Sequence, residues 1–209
     1  MKSRTMKFRM IVSLIIVLVI FAVIFISLPY LNMNNRPSTT SAKIVNAQTV
    51  DKYFGGKWEE NDSLSGYVEV EKSEYVVHFY NGTTRNVSSG NLSIINPQIS
   101  KYLGIIEVDL NRINFTTFYN ENGTLSAVIL NYSSLTEPKE IYDTIYSTFK
   151  GESKVIDLSF HNISENAFIA SICCYQFSIG YAGNEIAIMF YKGNINETQA
   201  ITDIMNYVL

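Results

Sequence analysis

The sequence predicts an α+β protein: one N-terminal transmembrane helix, then an extracytoplasmic antiparallel sheet packed by helices. Three observations carry that expectation. Met10 to Leu28 contains no charged residue. From residue 67 to residue 191, strand-like runs of alternating, aromatic and β-branched residues are punctuated by Asn81-Gly82, Asn122-Gly123 and Gly183-Asn184. Helix signals fall in four other places, near 44–54, 96–103, 137–151 and 196–208.

The charge-free run comes first. Its 19 residues, at about 1.5 Å each, make a helix of about 28 Å, close to the hydrocarbon thickness of a bilayer. Lys2, Arg4, Lys7 and Arg9 precede it, which favours a cytoplasmic N-terminus. The competing reading is a cleaved signal peptide. Such a peptide has a shorter apolar region ending in a small-residue site, whereas Pro29-Tyr30-Leu31-Asn32 follows here. The expected organisation is therefore a basic tail (1–9), a span in the lipid bilayer (10–28), a polar stalk (29–42) and an outer domain (43–209), with possible halves 43–110 and 111–209 built as two degenerate αβ repeats.

Within the outer domain, Ile44 to Phe54 reads as a helix stopped by Gly55-Gly56, and Trp58 reads as a core anchor. Tyr67-Val68-Glu69-Val70-Glu71 alternates cleanly and predicts a strand. Strands are also expected over 74–80 and 83–94, turned by Asn81-Gly82. Asn96-Pro97 opens an expected short helix to Leu103. Strands follow at 105–110, 115–120 and 125–132, the last two turned by Asn122-Gly123. Glu137-Pro138 starts the clearest helix, with Ile141, Ile145 and Phe149 on one face and Gly151 at its end. Strands at 154–160, 167–179 and 184–191 come next. Ala200, Ile201, Ile204, Met205 and Val208 form the apolar stripe of a last helix starting near Asn196. The helices are expected on one face of the sheet.

Past residue 28 the chain carries 12 Lys/Arg (16 less the four of the tail) against 19 Asp/Glu, a net charge of −7. The cations are scattered, so no nucleic-acid partner is expected. Nine Asn-x-Ser/Thr triplets lie after the span and none before it: Asn61, Asn81, Asn86, Asn91, Asn114, Asn122, Asn131, Asn162 and Asn196. A glycan is bulky and hydrated, so each acceptor needs an exposed extracellular position. Asn196 is the weakest of these, since it also suits a helix cap.

No enzyme is expected. His78 and His161 are the only histidines, and His-x-His, His-Glu-x-x-His, Cys-x-x-Cys, Gly-x-Ser-x-Gly and phosphate loops are absent. Glu69, Glu71 and Glu74 lie within hairpin reach of His78, a conceivable metal site, but a surface histidine is the favoured reading. Glu59-Glu60 reads as a solvated acidic pair. Cys173 and Cys174 are adjacent and alone, which is no disulfide framework; they are expected as small buried hydrophobes, with a vicinal or intermolecular bridge as alternatives. The aromatics Tyr175, Phe177, Tyr181, Phe190 and Tyr191 are expected to fill and edge the sheet. No cofactor is expected.

The basic tail, single span, polar stalk and sequon-dense β-rich domain together resemble uncharacterised single-pass membrane-anchored surface glycoproteins of thermoacidophilic archaea. The segment from Val128 to Asp143, with Tyr191-Lys192-Gly193 and the closing helix, carries the likeness over about residues 114–209. The resemblance implies location and fold class, and transfers no functional residue. The functional expectation is a membrane-tethered, N-glycosylated extracellular binding domain whose partner is an envelope protein or a glycan. The alternatives are a pilin-like or envelope structural subunit, for which Arg9-Met10-Ile11 lacks the small residue of a pilin cleavage site, and a tethered hydrolase.

Overall fold

The computed structural model describes residues 45–71, 74–88, 110–153, 158–193 and 197–209. The expected span, the stalk, the helix from Asn96, the strand segment 105–109, Asn91 and Asn196 lie outside them. No helix among the described residues is long and apolar enough to cross a membrane.

Three helices and ten strands are described. They run α1 (Ala47–Phe54), β1 (Glu59–Glu60), β2 (Gly66–Glu71), β3 (Glu74–Phe79), β4 (Thr84–Ser88), β5 (Leu110–Asn120), β6 (Gly123–Tyr132), α2 (Glu137–Glu152), β7 (Ser159–Ser164), β8 (Ala167–Ile172), β9 (Tyr175–Ala182), β10 (Glu185–Gly193) and α3 (Thr198–Val208). One antiparallel sheet joins all the strands in the order β4-β3-β2-β5-β6-β10-β9-β8-β7, with β1 pairing alongside β5. Both expected halves thus share a single continuous sheet.

The helices lie on both faces, not one. Along β6, Val128, Leu130 and Tyr132 join the core cluster of α2, with Ile141, Tyr142 and Phe149. The alternate residues Leu125, Ala127 and Ile129 join Val50 of α1 and Ile201, Ile204 and Met205 of α3. β10 divides in the same way, with Ile186 and Ile188 toward α2 and Ala187, Met189 and Tyr191 toward α1 and α3. Period-two alternation puts successive side chains on opposite faces, so apolar clusters on both faces demand two helical layers.

The α2 layer is aromatic. Phe168 is fully buried, with ring contacts to Tyr142, Tyr146, Phe149, Phe160 and Phe177 at centroid distances between 4.9 and 6.2 Å. Tyr142 is 3% exposed and its hydroxyl has no hydrogen-bond partner among the described residues. Burial, with smaller contributions from Tyr146, Asp143 and Tyr181, pushes that hydroxyl up to about 12.

The opposite layer begins with Asn46, whose Oδ1 accepts from the Thr49 backbone N–H at 2.9 Å and caps α1. Gly55 ends this helix at φ 69, a conformation that suits glycine. Trp58 is 3% exposed and donates from its ring N–H to the Gly55 carbonyl at 3.0 Å, so it is the core anchor expected.

Two turns differ from expectation. The expected strand over 167–179 is two strands, broken by Cys173-Cys174 as a two-residue hairpin loop. Cys173 sits at φ 53, a position that normally selects Gly, Asn or Asp, and for that reason the sequence shows no turn there. The β5–β6 loop is Glu121-Asn122, so Gly123 is the first residue of β6 and not a turn residue. A Cβ on Gly123 would collide with the Lys192 carbonyl, so its role is to let β6 and β10 approach. β7 also lies further along than the expected 154–160, and it includes Asn162.

One buried side chain ties α3 to the sheet. Gln176 is 4% exposed. Its Nε2 donates to Thr198 Oγ1 at 2.7 Å and to Ser171 Oγ at 3.3 Å, and its Oε1 accepts from the Glu197 backbone N–H at 2.9 Å. Gln176 thus supplies the helix with a cap from a neighbouring strand, while Glu197 occupies the N-cap position without a side-chain capping bond. Replacing Gln176 by Ala removes all three bonds and is expected to lower the unfolding free energy by about 1–3 kcal/mol in chemical denaturation.

Burial raises the Glu197 carboxyl above its ordinary pKa. A raised folded-state value means that the folded state binds this proton more tightly than the unfolded chain does. The stabilisation is present below the unfolded pKa and is lost as pH rises through the folded one. Glu197→Gln is therefore expected to be more stable than the parent at neutral pH. That advantage should vanish as pH falls below about 4, the ordinary carboxylate range, in melting curves recorded across pH.

Candidate functional site

The helices α1 and α3 cover only part of their face. On the β4-β3-β2-β5 side the same face carries polar residues, which the register arranges in two rows. Thr84, His78, Tyr67 and Asn114 are successive cross-strand partners. Asn86, Val76, Glu69, Arg112, Asn131 and Glu185 form the next row. The alternation of Tyr67-Val68-Glu69 produces this division, since Val68 turns to the core at 8% exposure while its neighbours turn outward.

The side chains on this platform interlock. The Tyr67 and His78 rings stack at 4.7 Å with 17° between their planes. The Arg112 guanidinium lies 4.4 Å from the Tyr67 ring centre. The arrangement is a three-layer stack across three strands, Arg112–Tyr67–His78, with a cation–π contact. Glu69 Oε2 lies 3.6 Å from His78 Nε2, an ion contact when the imidazole is protonated and too long for a hydrogen bond. Thr84 Oγ1 meets His78 Nδ1 at 3.4 Å. Asn131 Nδ2 donates to Glu185 Oε1 at 3.1 Å, continuing the polar row onto β10.

Of the acidic residues expected near His78, Glu69 meets it, and no group of three His, Cys, Asp or Glu residues among the described residues has metal-site geometry. Glu59 belongs to β1 and accepts from the Tyr119 hydroxyl at 3.1 Å; that carboxylate holds the Tyr119 hydroxyl above its usual pKa. His161 is exposed on the edge strand β7, with Nε2 2.7 Å from Ser159 Oγ.

Seven sequon asparagines are described, and none is buried. Asn86, Asn122 and Asn162 are exposed, whereas Asn61, Asn81, Asn114 and Asn131 are half-buried. Asn81 Oδ1 accepts from the Thr83 backbone N–H at 3.0 Å and from Thr83 Oγ1 at 2.8 Å, so the hydroxyl of the triplet points at the acceptor amide. Asn86, Asn114 and Asn131 stand on the platform rows. Asn61, Asn81 and Asn122 occupy connections of β1–β6, and only Asn162 lies on β7–β10. The split is thus six to one between β1–β6 and β7–β10.

Cys173 and Cys174 are exposed, free thiols, which corrects the expectation of buried hydrophobes. The turn between β8 and β9 carries them outside both cores. Among the carboxyl-terminal aromatics, Phe177 and Tyr191 are core residues, at 9% and 1% exposure. Tyr175 and Phe190 are half-buried and stack at 5.7 Å beside the cysteine turn, and Tyr181 is half-buried against Tyr142 at 5.1 Å.

Compared with known proteins, the chain matches no family model and no curated protein sequence.

The stack is half-buried, and its energetics should show it. Tyr67 and Arg112 are half-buried, so double-mutant cycles on Tyr67→Ala and Arg112→Ala are expected to give a coupling of about 1–2 kcal/mol, between an exposed and a desolvated cation–π pair. A coupling several times larger would mean that the stack is part of the core.

Proposed function

We propose that this chain is a membrane-tethered, N-glycosylated extracellular interaction domain, with a sugar-bearing side and a side open to a protein partner in the envelope. Residues 10–28 anchor it in the bilayer, and the tail stays inside. The observation that carries the reading is the six-to-one distribution of described acceptors between β1–β6 and β7–β10. A glycan occupies far more volume than a side chain and carries hydration with it, so a partner docks where glycans are sparse. Three acceptors stand on the polar platform, where Asn114 is the cross-strand partner of Tyr67, the middle member of the Arg112–Tyr67–His78 stack. The β7–β10 half offers half-buried Ile172, Tyr175 and Phe190 instead. Aromatic residues with adjoining polar groups are what interface cores favour.

Glycopeptide mass spectrometry on native membranes, combined with hydroxyl-radical footprinting before and after solubilisation, tests this reading. The expected result is occupancy concentrated at Asn61, Asn81, Asn86, Asn114, Asn122 and Asn131, with partner-dependent protection in residues 158–193. Unmodified acceptors, or protection centred on β2–β4, would overturn it.

A further inference from the structure

We propose that Cys173 and Cys174 form a covalent contact between two copies of this chain, joined by an intermolecular disulfide at the β8–β9 turn. Both thiols are exposed, and the chain has no other cysteine. Exposure of this residue type is unusual, because cysteine is among the residues most often buried. Here the turn puts two side by side at a tip, with Cys173 held at φ 53.

An internal bridge is the poorer solution. Neighbouring Cα atoms stand about 3.8 Å apart across a trans peptide. A disulfide prefers Cα atoms about 4.4–6.8 Å apart, and shorter spans store strain and reduce easily. The unstrained partner for either thiol is therefore a thiol of another molecule. A second copy supplies one by symmetry, since a two-fold axis through the tip brings identical turns together. The surroundings suit that contact. Ile172, Tyr175 and Phe190 are half-buried beside the turn, and the exposed Lys192 places its ammonium over the Tyr175 ring, 5.7 Å from its centre. The Gly193 N–H donates to the Cys174 carbonyl at 3.1 Å, which fixes the loop against β10. The nearest described acceptor at this end of the sheet, Asn122, is in the β5–β6 loop, about three strand spacings or about 14 Å away.

In the reaction, one thiolate of each copy contributes a sulfur. The two thiols lose two electrons and two protons, and a small disulfide such as oxidised glutathione takes them up as two thiols. In the cell this step rests on the extracellular placement proposed above, because an oxidising exterior keeps the bond intact. Anchoring both copies in one membrane raises their effective concentration for the encounter.

The test uses the full-length chain in detergent micelles, treated with oxidised glutathione, quenched with N-ethylmaleimide and resolved without reductant. The expected product is a dimer that dithiothreitol reverses. The double variant Cys173→Ser with Cys174→Ser should lose it completely. Because Cys173 has a positive φ, Cys173→Gly with Cys174→Ser provides a second thiol-free control that fits the turn. A monomer lighter by two hydrogens, which is a vicinal bridge, or a doubly alkylated monomer would overturn the proposal. Native membranes quenched before lysis separate the two readings. Dimer formation in micelles but free thiols in membranes would support the turn chemistry and count against the extracellular placement.

Discussion

The two-sided burial of β6 and β10 is the constraint on which the rest of this fold depends. These strands lie side by side at the centre of the sheet, and each presents apolar side chains to both faces. An antiparallel sheet tolerates water on one face, but only if that face is polar. Leu125, Ala127 and Ile129 on one side of β6, and Val128, Leu130 and Tyr132 on the other, leave no such face. Helices on both sides follow as a necessity. The register follows too, since a one-residue slip would carry Asn131 and Glu185 from the polar platform row to the opposite, α2 face. Gly123 and Gly193, directly opposed at the end of the pair, allow the strands to close there, where added side chains would collide with the Lys192 and Asn122 carbonyls.

Much of this was legible in the residues, although one inference drawn from them was too narrow. Ala127-Val128-Ile129-Leu130 and Ile186-Ala187-Ile188-Met189 are continuous apolar runs. Such runs report burial on both faces, so they already argued against helices on one face only. Tyr67-Val68-Glu69, by contrast, alternates, and it forms part of the platform that the helices leave open. The periodic stripes of α2 and α3 placed Ile141, Phe149, Ile201 and Ile204 in the core, where they are found. The cysteine turn was not legible. Turn prediction relies on residues that adopt positive φ cheaply, and cysteine is not one of them. The partners of Gln176 were hidden for a different reason, because Ser171 and Glu197 meet it only after the chain has folded, across β8, β9 and the start of α3.

The stack of Arg112, Tyr67 and His78 belonged to the same hidden class. Its three members come from three strands, 67, 78 and 112 in number, and only the register of β3, β2 and β5 unites them. Sequence spacing placed His78 near acidic residues, and Glu69 does meet it. What spacing did not show is that an aromatic ring and a guanidinium complete the arrangement, as a half-buried stack.

The placement of the sequons follows from the same division of the sheet. Strands with two buried faces have no position for a hydrated group, so an acceptor must stand where helical cover ends or where a connection leaves the sheet. Asn114 and Asn131 illustrate the first case. Each lies one row beyond the last buried residue of its own strand on that face, Thr116 for Asn114 and Ile129 for Asn131. Asn61, Asn81 and Asn122 illustrate the second. The β8-β9-β10 portion is covered by α2 on one face and by α3 on the other, which leaves its ends and rims as accessible surface. The described sequons thus fall where helical cover ends or where a connection leaves the sheet, and the two thiols are exposed at a turn of the enclosed half.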